Sequence, residues 1–554
     1  MRAIVETRAS TQAPTSVWLF WGTLVAYWLV SLQFRALIHP DEGRYATLAM
    51  GMLQSGDWIT PRLNGLLYFE KPIFQYWVSA VFFGLMGFSE FAARLWPGLS
   101  GLMTIAVVGF TARRLWSPTT GHHAALVCTG TLWMYANSHF LTLDMGVTFF
   151  LTLALCAFLL AHQSTTDHPS SRRWMLLAWA AMAGATLSKG LIGLLIPGGT
   201  LFLYCLTTRE WRLLGRMHWL AGVVVFALIT TPWFWLVSQR NPGFAHFFFI
   251  HEHIERFLTT EHHREGPPYY FIPIVLAGFL PWTSWLPRML RSAWADHSHS
   301  IQVGRFLILW SSFVFVFFSL SGSKLPSYIL PMFPAMALML ARTLDEAKSG
   351  SMRRHLVLPA AVWVVLLGIA PMAHRWASAE SPAAVLNAFA VFIAVAALIG
   401  LLGVGLTWGF LRIQNTTAAL QSLVLSTVLA TGIVFLGHDQ YATLKSSKEV
   451  VSWLQQYLEP DTEVFSVGMY EHTFPFYLRR PVTLVAYVDE FQFGETAEPQ
   501  RWIPTLEAFK QRWLATPKAM AMTSPEVYKT LLALQVPMRV IYRDPRRLVV
   551  MKPE

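Results

Sequence analysis

Residues 17–45 read VWLFWGTLVAYWLVSLQFRALIHPDEGRY. Positions 17–37 hold a single charge, Arg35. At 1.5 Å of rise per residue that run is about 30 Å long, the depth of a bilayer's hydrocarbon core. It is too long for the core of a cleaved signal peptide and shows no clean small-residue cleavage site, so it reads as an uncleaved signal anchor. The polarity then inverts within a few residues. His39, Asp41, Glu42 and Arg44 crowd against the exit of the span. Pro40 and Gly43 are placed to set a turn, and 46–54 can continue as a helix.

The same alternation recurs along the chain. Further apolar runs lie at 91–112, 122–139, 144–161, 173–188, 190–206, 217–237, 269–287, 303–321, 325–341, 356–373, 384–409 and 419–437, making thirteen with the first. Of the 554 residues, 54% are hydrophobic and 13% charged. Soluble proteins carry about 25% charged residues, so a water-soluble globule is excluded and a polytopic α-helical membrane protein is indicated. Cys128, Cys156 and Cys205 all sit in apolar runs, without metal-binding spacing or a disulfide framework.

The formal net charge is +11, but its placement excludes nucleic acid as a partner. Residues 438–554 carry 14 basic and 14 acidic side chains, so the excess lies in 1–437. One set of loops there, with the N-terminus, holds 17 basic and 6 acidic residues; the other set holds 11 and 11. Positive loops face the cytoplasm, so the N-terminus is expected inside and the C-terminus outside. The count holds only if the apolar stretch 72–88 does not cross, and that stretch reads as an amphipathic or half-buried interfacial helix. The expected organisation is a membrane domain, 1–437, with an external loop at 38–90, and an external soluble domain, 438–554. The latter alternates strand-like (462–467, 482–488, 536–542) and helix-like (445–457, 505–513) segments, as in an α/β or α+β domain.

The outward loops hold the unusual charges. Asp41, Glu42 and Arg44 open the first loop, and Tyr68-Phe69-Glu70-Lys71-Pro72 closes on an adjacent anion and cation between aromatics. Asp144 and Lys189 sit in loops so short that both lie at membrane depth, which marks a functional site by default. Lys324, followed by Tyr328, has the same placement. His251 and Glu255, and Glu252 and Arg256, are four apart in HEHIERF, which would face one another on a helix but is not a zinc-hydrolase HExxH. A divalent ion, zinc or magnesium, could take one carboxylate, one imidazole and a substrate phosphate. The lysines with Arg44 and Arg256 suit phosphate. Topology alone brings all of these to one side, as a water-filled cavity with carboxylates for acid–base work and cations for a phosphate leaving group.

The segment 39–72, HPDEGRYATLAMGMLQSGDWITPRLNGLLYFEKP, resembles the bacterial aminoarabinose transferases that modify lipid A. These belong to the polyprenyl-phosphate-sugar-dependent transferases of GT-C architecture, with the protein O-mannosyltransferases. The likeness continues through LTLD (141–144), SKG (188–190), HEHIERF (251–257) and SKLPSYILP (323–331), and is least in the tail. The resemblance implies thirteen spans, a periplasmic domain, and transfer of 4-amino-4-deoxy-L-arabinose from undecaprenyl phosphate to lipid A phosphate at the outer face of the bacterial inner membrane. It implies Asp41 and Asp144 as the catalytic aspartates. Metal and donor-phosphate contacts map to Glu70, Lys71, His251 and Arg256, and Arg44 and Lys189 are further phosphate or site residues. Tyr68, Lys324 and Tyr328 join the expected donor contacts. Another polyprenyl-linked sugar or a protein acceptor is the nearest alternative; a lipid flippase would instead need charges buried mid-span.

Overall fold

The computed structural model describes residues 15–163, 169–255, 266–296, 301–378 and 380–553. Among them, eight helices are long and apolar enough to cross a membrane, fewer than the thirteen runs expected. The difference has local causes. The first run is a shorter helix that tightens into a 3₁₀ turn at Ser31–Gln33. The run at 122–139 divides into Pro118–Gly130 and Leu132–Ser138, because Thr131 is extended. The run at 269–287 also breaks, leaving Phe271–Gly278 and Leu286–Ala295 around Pro281, which has no N–H to give. The two breaks lie against each other: Leu132 N–H donates to the Leu280 carbonyl at 3.0 Å. Irregular backbone at membrane depth is tolerated where protein satisfies it in this way.

The stretch read as interfacial forms a helix, Phe74–Met86. Its 13 residues reach only about 20 Å, too short to cross. Gln75, Tyr76, Ser79, Ala80 and Phe83 are buried, whereas Val81, Leu85 and Met86 are exposed. The helix Asp41–Ser55 packs beside it. Both share an apolar core with the tail through Tyr45, Leu48, Tyr76, Phe474 and Phe491.

The tail folds around a five-stranded mixed sheet. A small hairpin in the first loop supplies β1 (Arg62–Leu63) and β2 (Leu66–Leu67); the tail supplies β3 (Glu463–Val467), β4 (Thr483–Val485), β5 (Ala519–Thr523), β6 (Arg539–Arg543) and β7 (Leu548–Met551). The sheet order is β4-β3-β5-β7-β6, with β4, β3 and β5 parallel and β7 antiparallel to β5 and β6. The three strands expected are present, and β5 and β7 are additional. Those two are central and buried on both faces except at Met551, so neither alternates in polarity.

The tail is clamped to the first loop. Asn64 exchanges two hydrogen bonds with the backbone of Val482, at 2.7 and 2.8 Å, and Arg62 pairs with Glu498 at 2.7 Å. Gly43 has a different task from the turn expected of it. It lies inside the helix, and a Cβ there would stand 2.4 Å from the carbonyl carbon of His472. Only glycine lets the helix and the tail backbone approach this closely.

Candidate active site

The adjacent carboxylates Asp41 and Glu42 do not form a paired site; they point into different environments. Glu42 is buried and accepts hydrogen bonds from Arg35 (2.6 and 3.0 Å), Arg94 (2.7 and 2.9 Å) and the backbone N–H groups of Ile38 and Leu141 (3.1 and 3.0 Å). Burial alone would favour its neutral form, but the two guanidinium groups hold it far below the usual carboxylate range. This one side chain ties the end of the first span, the helix Glu90–Leu115 and the loop leading to Asp144. Asp41 is the open partner, with 41% of its side chain exposed and one oxygen 2.7 Å from Arg44 Nη1.

Arg44 also forms an ion pair with Glu490 of the tail at 2.6 Å. Burial works against its charge, and the carboxylates Glu490 and Asp41 restore it. Glu490 is hydrogen-bonded to His472 Nε2, and His472 Nδ1 lies 3.0 Å from Nδ1 of His39. Burial first, then Arg44, lowers His472 far below its ordinary value; burial and His472 bring His39 down to about 3. Both rings are therefore neutral. His472 donates from Nε2 to Glu490, so its Nδ1 accepts the proton of His39 Nδ1.

Asp144 opens the helix Asp144–Gln163 and forms an ion pair with Lys189, whose ammonium lies 4.4 Å from the centre of the Tyr328 ring. Lys71 donates to Glu252 at 2.9 Å and to its neighbour's carbonyl, that of Glu70, at 2.7 Å, which leaves one of its three protons unassigned among the described residues. The Lys324 ammonium donates to the carbonyl of Ser321 at 2.6 Å, within its own loop. His251 stacks on Phe247, with ring centres 5.1 Å apart. Glu70 and His251 offer two donors, and no group of three or more His, Cys, Asp or Glu side chains gathers among the described residues. That is too few for a metal site built from protein ligands alone. Arg256 lies outside the described residues.

Three phenols complete the surroundings. Tyr68, Tyr76 and Tyr470 are buried, which pushes each well above the usual phenol range and keeps it a donor. Their hydroxyls have no hydrogen-bond partner among the described residues. Tyr68 and Tyr76 both feel Arg44, Glu490 and Glu70, and Tyr470 feels Arg44 and Glu490. Tyr45 stacks on Tyr76, with centres 6.2 Å apart, and the charges of both Asp41 and Asp144 act on its hydroxyl. Orphaned donors around a guanidinium suit an oxyanion.

Sequence reading missed Glu490, His472, Tyr470 and Tyr76, and did not pair Glu252 with Lys71. The tail residues had one signal. Tyr470-Glu471-His472 and Asp489-Glu490 follow β3 and β4, neighbouring parallel strands, and α/β sheets place sites beyond the carboxyl ends of such strands.

Residues 450–552 match the family model "Aminoarabinose transferase C-terminal domain", and 16–248 match "Dolichyl-phosphate-mannose-protein mannosyltransferase". The undecaprenyl phosphate-alpha-4-amino-4-deoxy-L-arabinose arabinosyl transferase of Erwinia tasmaniensis is 37% identical over 57% of each chain, and that of Pseudomonas aeruginosa strain PAO1 34% over 58%. The chain thus spans somewhat over half the length of these curated relatives. The crystal structure of ArnT from Cupriavidus metallidurans bound to undecaprenyl phosphate superposes with a TM-score of 0.93, at 38% identity over 98% of both chains. The archaeal oligosaccharyltransferase AglB from Archaeoglobus fulgidus shares the fold alone, with a TM-score of 0.52 at 13% identity over 93% of this chain and 70% of its own. With a polytopic GT-C membrane bundle, a C-terminal α/β domain and end-to-end likeness to the Cupriavidus protein, the chain belongs to the ArnT family of aminoarabinose transferases.

Proposed function

We propose that this protein moves 4-amino-4-deoxy-L-arabinose from undecaprenyl phosphate to a phosphate of lipid A, by one inverting displacement at the outer face of the bacterial inner membrane. The reading rests on three ion pairs from separate stretches of chain, Asp41–Arg44, Asp144–Lys189 and Lys71–Glu252, each with a member whose charge acts on the stacked phenols Tyr45 and Tyr76. The undecaprenyl phosphate held by the Cupriavidus ArnT supports the identity of the carrier.

The acceptor phosphate oxygen attacks the anomeric carbon, and the bond to the undecaprenyl phosphate oxygen breaks. The acceptor is already an anion at neutral pH, so removing a proton is a minor demand. The larger one is charge on the departing phosphate, which Lys71 meets with its unassigned proton and Arg256 with its guanidinium. Asp41 has a carboxylate oxygen beyond its bond to Arg44 and orients the acceptor or the sugar's ammonium. Asp144 holds Lys189 in place against Tyr328. Arg44, Tyr68 and the neighbouring phenols supply donors to phosphate oxygens. A divalent ion would take Glu70 and His251 together with substrate phosphate oxygens.

Thirteen crossings are the best account of the bundle. To the eight long helices are added the helix ending at 33, the broken pairs within 118–138 and 271–295, and the helices Pro169–Lys189 and Ile192–Thr208. The charge bias places the N-terminus inside and the domain 438–554 in the periplasm.

The test is transfer by the purified protein with defined polyprenyl-phosphate sugars and lipid A, read by mass spectrometry. A lipid A mass gain that requires the aminoarabinose donor is expected. Gain with another sugar, or label on protein, overturns the assignment. Asp41→Asn is expected to stay folded and to lose transfer by about a hundredfold or more; near-normal transfer removes Asp41 from the mechanism.

A further inference from the structure

The end of the bundle opposite the candidate site holds a cavity of about 660 Å³. The helix Glu90–Leu115 begins near Glu42, through Arg94, and ends at this cavity. From Arg94 to Leu115 it rises about 30 Å, so the two places lie at opposite membrane surfaces. Two threonine-bearing helix starts face the cavity, Thr119 from Pro118–Gly130 and Thr416 and Thr417 from Thr416–His438. Arg342 and Asp345 enter from the end of Phe333–Asp345.

The charges in this cavity are unequal. Asp345 is already engaged by the ring of His123 at 2.7 Å and by the Thr120 hydroxyl. Among the described residues, Arg342 forms its one ion pair with Glu346, at 3.2 Å, a partly exposed pair one helical turn apart. Such pairs contribute little and exchange readily. Arg113, Arg114, Lys348 and Arg412 lie within four residues of lining positions along the chain, so the connecting segments on this side are rich in cations. A guanidinium and several hydroxyl donors, on a side whose connecting segments are rich in cations, match a phosphodiester with net negative charge at headgroup depth; the same excess of cations disfavours a choline head.

We propose that this cavity binds the headgroup of an anionic phospholipid from the leaflet opposite the candidate active site. The test uses the full chain in detergent, titrated with dioleoylphosphatidylglycerol, dioleoylphosphatidylcholine or sn-glycerol 3-phosphate, with bound copies counted by native mass spectrometry. Phosphatidylglycerol should be retained above phosphatidylcholine. Arg342→Gln and Thr417→Val should each weaken its retention by about fivefold, without changing thermal stability in detergent or sugar transfer. Equal retention by wild type and both variants overturns the proposal, as does equal retention of the two lipids. Binding of glycerol phosphate as tight as that of the lipid overturns it in favour of a soluble phosphate ester.

Discussion

The first long loop, 38–90, and the tail build one side of the candidate site each, yet they carry their information in opposite ways. The loop concentrates Asp41, Arg44, Tyr68, Glu70 and Lys71 within 34 consecutive positions, 39–72. The tail delivers Tyr470, His472 and Glu490 from loops after two different strands, with no fixed spacing between them. The loop residues are held by the membrane bundle through Glu42. The tail residues are held by docking, through Asn64, Arg62 and the close approach at Gly43. A site can thus be half written in a motif and half assembled by packing.

Breaking the loop's anchor should have the largest effect. Glu42→Gln leaves two buried guanidinium groups without their counter-charge, a loss of about 3–5 kcal/mol. The variant should melt early or fail to accumulate in the membrane, measured by detergent thermal denaturation and size exclusion. Wild-type stability would remove Glu42 as the anchor. Breaking the tail's contribution should spare the fold and strike transfer: Glu490→Gln uncouples Arg44 from the tail and is expected to lower kcat/KM about tenfold or more. If Glu490→Gln transfers normally, the tail covers the site without taking part in it.

His39 and His472 are neutral when folded and sit below their ordinary values, so the unfolded chain binds more protons as pH falls below about 6.5. Stability should be level above that pH and decline beneath it, towards the value of about 3 reached by His39. The thermal midpoint of His472→Gln should depend less on pH between 5 and 7 than that of wild type. A parallel dependence in both proteins would place the effect elsewhere. The smallest change is expected at Lys324, which serves a loop carbonyl: Lys324→Met should lower transfer only about threefold, in contrast to Lys71→Met.

The membrane bundle was legible because hydropathy sums along a run; its breaks at Thr131 and Pro281 were less so, because they depend on a neighbour's carbonyl. Asp144 and Lys189 were legible because ions at membrane depth stand out, and the structure pairs them. Lys324 stood out equally but bonds its own loop, since placement at a depth says nothing of direction. β5 and β7 escaped notice because strands buried on both faces lose their alternation.

By itself the sequence determined a membrane protein, the face on which its charges gather, and the motif that carries the family resemblance. These follow from local hydropathy, from charge counts between runs and from contiguous residues. Only the tertiary structure decided that Glu42 anchors while Asp41 stays open, and that Glu490 and His472 complete the site from more than 400 positions away. Adjacent carboxylates look alike in a sequence. What separates them is which guanidinium the fold brings within hydrogen-bonding distance, and that depends on helix packing and on a glycine where a methyl group would not fit.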